Sequence, residues 1–89
     1  MTGFFVLDVP EFAPLVAAAG RAPNVTVHPV RGSYRFVEFD GALDIRRSDT
    51  GLNEAVWFGC LTAGLCGKIV RFDAEQLSLI ATNEPVLPL

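Results

Sequence analysis

The sequence predicts an α+β fold, in which two helices pack on one face of a small, mostly antiparallel sheet of five or six strands. Short apolar runs rich in aromatic and β-branched residues recur between turn dipeptides, as is typical of strands joined in hairpins. Two longer stretches begin with helix-capping residues instead. The length of 89 residues suits one compact domain, which we expect at residues 1–82, followed by an extended apolar tail at residues 83–89.

The first predicted strand is the apolar run at residues 4–7. The helix after it is expected to begin near Pro10, since proline suits the first turn and Glu11 lies at the positive end of the helix dipole. We expect this helix to run to Ala19 and to end at Gly20 in the left-handed conformation.

The clearest local signal is a predicted hairpin about Asp40-Gly41. Extended runs at residues 34–39 and 42–47 flank this dipeptide, and Asp-Gly accepts the positive φ that a two-residue turn demands. Pairing about the turn would place Arg35 opposite Arg46. The opposite face of the hairpin is expected to line the core, and it carries Tyr34, Phe36, Glu38, Leu43, Ile45 and Arg47.

Residues 52–65 form a nearly all-apolar segment that we expect to be a helix, with Gly51 as N-cap and Glu54 closing a capping box. A strand stays open as the alternative, because the segment is rich in β-forming residues and each interior glycine disfavours a helix by about 1 kcal/mol. As a helix, the segment would present the small residues Ala55, Gly59 and Ala63 at every fourth position. Small residues at this spacing let another backbone approach closely.

Two further strand predictions complete the sheet. Residues 25–30 alternate like a strand, but Pro29 cannot donate to a ladder, so this strand is expected at an edge. Residues 68–72 and 77–80 are expected to form a second hairpin around the polar residues 73–76.

Composition and charge exclude several classes of function. The formal net charge is −3 and the seven basic residues are scattered, so we expect no nucleic-acid partner. The N-terminal apolar run is too short for a signal peptide or a membrane span, which predicts a cytoplasmic protein without a membrane partner. Cys60 and Cys66 are expected to be reduced there. With His28 they are too few, and wrongly spaced, for a zinc site, so no metal or cofactor is predicted.

The apolar excess of the chain predicts association with another protein. Apolar residues make up 51% of the chain and charged residues 19%, which is more apolar than an average globular domain. A chain this short cannot bury so much apolar surface alone. We therefore predict a non-catalytic accessory protein that forms a homodimer or docks on a larger partner. The expected interface residues are Ala55, Trp57, Gly59, Ala63 and, in the tail, Val86 and Leu87.

An alternative function is the binding or conversion of a small anionic molecule. Like charges directly opposed on a hairpin are destabilising unless they are neutralised, and Arg35 with Arg46 could grip a carboxylate or phosphate. Tyr34 and His28, the only histidine, complete this candidate site. No catalytic residue is predicted, because no nucleophile elbow, phosphate loop or dinucleotide fingerprint occurs.

Overall fold

The predicted α+β class is confirmed, but the strands form two antiparallel sheets rather than one sheet of five or six strands. The computed structural model describes residues 2–81. Within this range the elements are β1 (Gly3–Leu7), α1 (Ala13–Gly20), β2 (Val25–Val27), β3 (Tyr34–Phe39), β4 (Ala42–Arg46), α2 (Arg47–Thr50), α3 (Glu54–Phe58), β5 (Leu65–Cys66), β6 (Lys68–Phe72) and β7 (Gln76–Ile80). The first sheet has the strand order β2-β3-β1-β5, and the second has the order β4-β7-β6.

Two segments of the chain run through both sheets. β3 leads into β4 through Asp40-Gly41, and β5 leads into β6 through Gly67. β1 lies between β3 and β5 in the first sheet, and β7 lies between β4 and β6 in the second. The start of β1 and the end of β7 meet at the junction of the sheets. There the Phe39 N–H donates to the Thr2 carbonyl at 2.9 Å, and the Ala81 N–H donates to the Gly41 carbonyl at 2.8 Å.

The predicted hairpin about Asp40-Gly41 is wrong, although both of its strands exist. Gly41 has a φ of 71°, but no residue other than glycine has a positive φ in the described range, so Asp40 does not. A type I′ hairpin turn needs a positive φ at both central residues. The dipeptide therefore joins two sheets instead of reversing the chain. Arg35 pairs with Val6, and Arg46 pairs with Gln76, so the two arginines are not opposed.

The core face of these strands differs in part from the prediction. In β4, Leu43 and Ile45 are buried as expected. In β3 the buried residues are Val37 and Phe39, so the expected core residues Tyr34, Phe36 and Glu38 point the other way. Arg47 belongs to α2 rather than to a strand.

The first helix is shorter than predicted and ends differently. Pro10–Phe12 form a 3₁₀ turn, and α1 follows with Pro14 in its first turn, where the missing N–H is tolerated. Gly20 is not left-handed, since its φ is not among the positive values. The left-handed helix end is at Gly51 instead, with a φ of 72°, where it closes the one-turn helix α2.

The long helix predicted at residues 52–65 is replaced by the five-residue helix α3, by turns and by β5. The N-cap is Asn53, whose side chain accepts from the Val56 N–H at 3.0 Å, and not Gly51. The helix ends at Gly59. Gly64 then adopts a φ of 131°, which only glycine accommodates easily, and directs the chain into β5. The glycines that disfavour a helix in this segment thus end it early.

All three helices contribute buried side chains to one side of the strands, which we call the inner face. Leu15 and Ala19 of α1 and Trp57 of α3 belong to the same core cluster as alternate strand residues. Trp57 is fully buried and donates its Nε1–H to the Asp73 carbonyl at 2.6 Å. The strand residues of the cluster are Phe4, Val6, Val37, Phe39, Leu43, Ile45, Leu77 and Leu79.

The second predicted hairpin is confirmed as β6 and β7, with a register shift between Ile69 and Arg71. Its turn is organised by Asp73, whose carboxylate accepts from the N–H groups of Glu75 and Gln76 at 2.9 Å each. The Arg71 guanidinium donates to the same carboxylate at 2.6 Å. These hydrogen bonds lower the pKa of Asp73 to about 2, and the hydrogen bond from Arg71 has the largest effect.

The junction of the sheets generates a first prediction. The Asn24 side-chain amide donates to the carbonyls of Asp40 and Ala42 at 2.6 and 2.7 Å. Asn24→Ala should lower the free energy of unfolding in urea by about 1–3 kcal/mol, because two hydrogen bonds are lost. Gly41→Ala should cost about 1–2 kcal/mol, since the left-handed conformation is strained with a side chain. Gly20→Ala is the matched control and should not destabilise. If Asn24→Ala had the same free energy of unfolding as wild type, a stabilising role of these two hydrogen bonds would be refuted.

A second prediction concerns the acid stability of the β6–β7 turn. Because the pKa of Asp73 is lower in the folded chain, its contribution to stability is fully present above pH 4 and is lost as the pH falls toward 2. Asp73→Asn should therefore be less stable than wild type at pH 7, with the difference vanishing near pH 2. Urea melts across this range measure it. Glu75→Gln is the control, since Glu75 lies 3.9 Å from Arg71 and is largely exposed. A difference independent of pH would contradict the assignment.

Candidate functional site

The four residues of the predicted anion site lie in three different places. His28 and Tyr34 line one surface cavity on the first sheet. Arg35 lies at a second cavity, between β1 and the first helical turns. Arg46 lies in a groove at the far end of the second sheet. The structure therefore does not bring the two arginines together, and only the histidine and the tyrosine share a site.

The groove around Arg46 contains three arginines, two of which are hydrogen-bonded within the protein. Its volume is about 650 Å³, and Arg47 and Arg71 line it together with Arg46. The Arg47 guanidinium donates to the carbonyls of Ala74 and Leu52, so it fastens α2 to the β6–β7 turn. The Arg71 guanidinium is paired with carboxylates. Two of the three positive charges are thus already engaged by the protein itself.

The uncovered side of the first sheet carries a cluster of apolar side chains. The residues that alternate with the core residues point outward, and the turns at residues 59–64 lie at one side of them. We call Phe5, Leu7, Tyr34 and Phe36 the outer aromatic face. Phe5 is 39% exposed, Leu7 37% and Tyr34 45%. These are large exposed fractions for apolar side chains within a sheet.

The strand register places these side chains in two adjacent rows. Phe5 pairs with Phe36, with ring centroids 4.8 Å apart, and Leu7 pairs with Tyr34. His28 extends the first row, since its N–H donates to the Phe36 carbonyl and its ring lies 5.8 Å from that of Phe36. The histidine Nε2 is hydrogen-bonded to Glu38 Oε1 at 2.7 Å. The ring of His28 is therefore held beside the aromatic pair.

Gly3 positions Phe36 on this face. A Cβ atom at Gly3 would lie 2.7 Å from Phe36 Cζ and would also collide with the Val37 carbonyl. The absence of a side chain lets the Phe36 ring lie over the β1 backbone. Aromatic rings placed over a strand glycine in this way cover backbone that would otherwise be bare.

A cavity of about 290 Å³ opens on the outer aromatic face. Its lining residues are Phe5, His28, Pro29, Arg31, Tyr34 and Phe36. Arg31 and Tyr34 are held side by side, because their backbones form an antiparallel bridge closed by Gly32 with a φ of 63°. Sequence analysis missed Phe5, Phe36 and Arg31 as site residues. For Arg31, the signal available in the sequence was the Arg31-Gly32 turn dipeptide.

The structure separates the predicted interface residues, of which Gly59 and Ala63 line a small cavity beside Leu7 and Tyr34 of the outer aromatic face. Trp57 has no exposed surface and belongs to the core. Ala55 is exposed, while Gly59 and Ala63 are partly buried in turns rather than aligned on one helix. Val86 and Leu87 lie outside the described residues.

Metal ligands and reactive thiols are the remaining candidate groups within residues 2–81. Residues 2–81 contain no cluster of three or more His, Cys, Asp or Glu side chains that could hold a metal ion. Cys60 is buried, which raises the pKa of its thiol to about 12, whereas Cys66 is exposed. A thiol with a raised pKa is a poor nucleophile.

No protein-family model matches the chain, and no curated protein matches it either. Among residues 2–81, no helix has the length and apolar character needed to cross a membrane. The site geometry is therefore the basis of the functional argument.

A third prediction follows from the two thiols. At pH 8, iodoacetamide should add one group rapidly to the folded protein, at Cys66, because burial keeps Cys60 protonated and covered. Intact-mass spectra over time measure this, and in denaturant both thiols should react. In Cys66→Ser the rapid adduct should disappear. Two adducts forming at equal rates in the folded protein would contradict the placement of Cys60.

Proposed function

We propose that this protein is a non-catalytic accessory protein that docks on a larger protein partner. The observation that carries the proposal is the outer aromatic face, which presents Phe5, Leu7 and Tyr34 partly to solvent. The largest exposed apolar patch of a monomeric protein is often a functional site. The exposed side chains of this patch account for part of the apolar excess in the composition.

The size of the patch favours docking over a homodimer formed through this face alone. A fully exposed large side chain has about 200 Å² of surface, so the exposed areas of Phe5, Leu7 and Tyr34 sum to roughly 240 Å². A stable interface of standard size buries about 800 Å² on each partner. The patch is thus suited to a short segment of a larger protein.

Enzymatic and anion-binding functions have less support. Arg35 and Arg46 belong to different sheets, so the predicted guanidinium pair does not exist. His28 is hydrogen-bonded to Glu38, and the lining residues of its cavity include no serine, threonine or cysteine. A cytosolic location is part of the proposal, because a reducing compartment keeps an exposed thiol such as that of Cys66 free.

A fourth prediction tests docking directly. A photo-crosslinking benzoylphenylalanine at position 7 should form adducts with a partner in cells of the source organism, because Leu7 lies on the outer aromatic face. The same probe at position 44 is the matched control, since Asp44 is exposed in β4 and points outward from the second sheet. Gel mobility and mass spectrometry identify the adducts.

Competition completes the docking experiment. An excess of wild-type protein should suppress the position-7 adducts, whereas a Tyr34→Asp protein should not, because the charge replaces an apolar contact. Equal crosslinking at positions 7 and 44, or equal suppression by both competitors, would contradict docking through this face.

A further inference from the structure

We propose that the cavity on the outer aromatic face binds a partner segment in which an apolar side chain lies next to an aspartate or glutamate. This inference rests on the proposed function and names the chemistry of the partner. It follows from the cavity's size, its aromatic floor, and the position of Arg31 at one end.

The cavity accommodates one apolar side chain. Phe5 and Phe36 form its floor, and Pro29 and the His28 ring line it further. Its volume of about 290 Å³ lies at the lower limit for drug-sized ligands, which occupy about 300–1,000 Å³. A single leucine or phenylalanine side chain is the matching occupant. Aromatic walls favour such an anchor because they bury it without leaving polar groups unpaired.

The two charged side chains near the cavity are separated, with Arg31 beside Tyr34 and Glu38 further along β3. Arg31 forms no ion pair with any residue in the part of the chain that the structure describes. It lies beside Tyr34, whereas the carboxylate of Glu38 lies four residues further along β3, or about 13 Å away. That carboxylate is hydrogen-bonded to His28. A carboxylate on the partner is therefore attracted to the Arg31 end, where arginine can donate two hydrogen bonds to it.

Other modes of occupation fit less well. Addition of a partner strand at β2 is impeded, because β2 has only three residues and Pro29 soon follows it. A second copy of this chain would need an interface several times larger than the exposed area. A short segment with one apolar anchor and one carboxylate uses both features of the cavity.

Titration of the full-length protein with short peptides tests the inference. The probe is Ac-Gly-Phe-Glu-Gly-NH₂, followed by amide chemical shifts in ¹H–¹⁵N spectra. We expect shifts at His28, Arg31, Tyr34 and Phe36 and a Kd on the order of 1 mM, as suits one side chain and one exposed ion pair. The Ala-Glu peptide should cause no such shifts. The Phe-Gln peptide should bind about two- to fivefold more weakly, as expected for loss of an exposed ion pair.

Variants assign the charge preference. Arg31→Gln should remove the difference between the Glu and Gln peptides, while Arg21→Gln, a change at an exposed arginine after α1, should retain it. The inference is overturned if the Phe-Glu and Ala-Glu peptides act alike, if no shifts map to the cavity, or if the preference persists in Arg31→Gln. Position-7 crosslinks without peptide binding would refute this cavity chemistry but leave docking intact. Peptide binding without position-7 crosslinks would refute docking through this face but leave the cavity chemistry intact.

Discussion

The junction between the two sheets is the constraint on which the rest of the structure depends. Asp40-Gly41 connects β3 to β4, and the Asn24 side chain stabilises this connection by donating to the carbonyls of Asp40 and Ala42. The first and last described residues bind the same few positions, through the Thr2 carbonyl and the Ala81 N–H. Because the alternation of side chains continues across the junction, Val37 and Phe39 share the inner face with Leu43 and Ile45.

That continuity also separates the outer surface into two chemically different halves. The half on the first sheet is aromatic, with Phe5, Tyr34 and Phe36. The second sheet exposes the charged side chains of Asp44, Arg46 and Arg71 and, in β6, the apolar side chains of Ile69 and Val70. The proposed docking site uses the aromatic part of the apolar surface that this fold leaves exposed.

Most of the remaining charged and polar groups serve the fold. Arg47 fastens α2 to the turn before β7, and Arg71 with Asp73 organises that turn. The Asp73 carbonyl also accepts from Trp57, so the turn and the largest core side chain support each other. Arg31 differs, because it is exposed, lines the aromatic cavity and has no ion-pair partner in the described range. In the proposed docking mode, this guanidinium would supply the preference for a carboxylate.

The sequence by itself determined the α+β class and the positions of most strands, because alternation and turn residues act over a few neighbours. It also indicated apolar surface for a partner. Only the tertiary structure decided that the runs around Asp40-Gly41 belong to different sheets, since β1 and β7 compete as partners and lie far away in sequence. The same pairing separated Arg35 from Arg46 and placed Phe5 against Phe36. A face assembled from β1, β2 and β3 depends on long-range register, which local patterns do not encode.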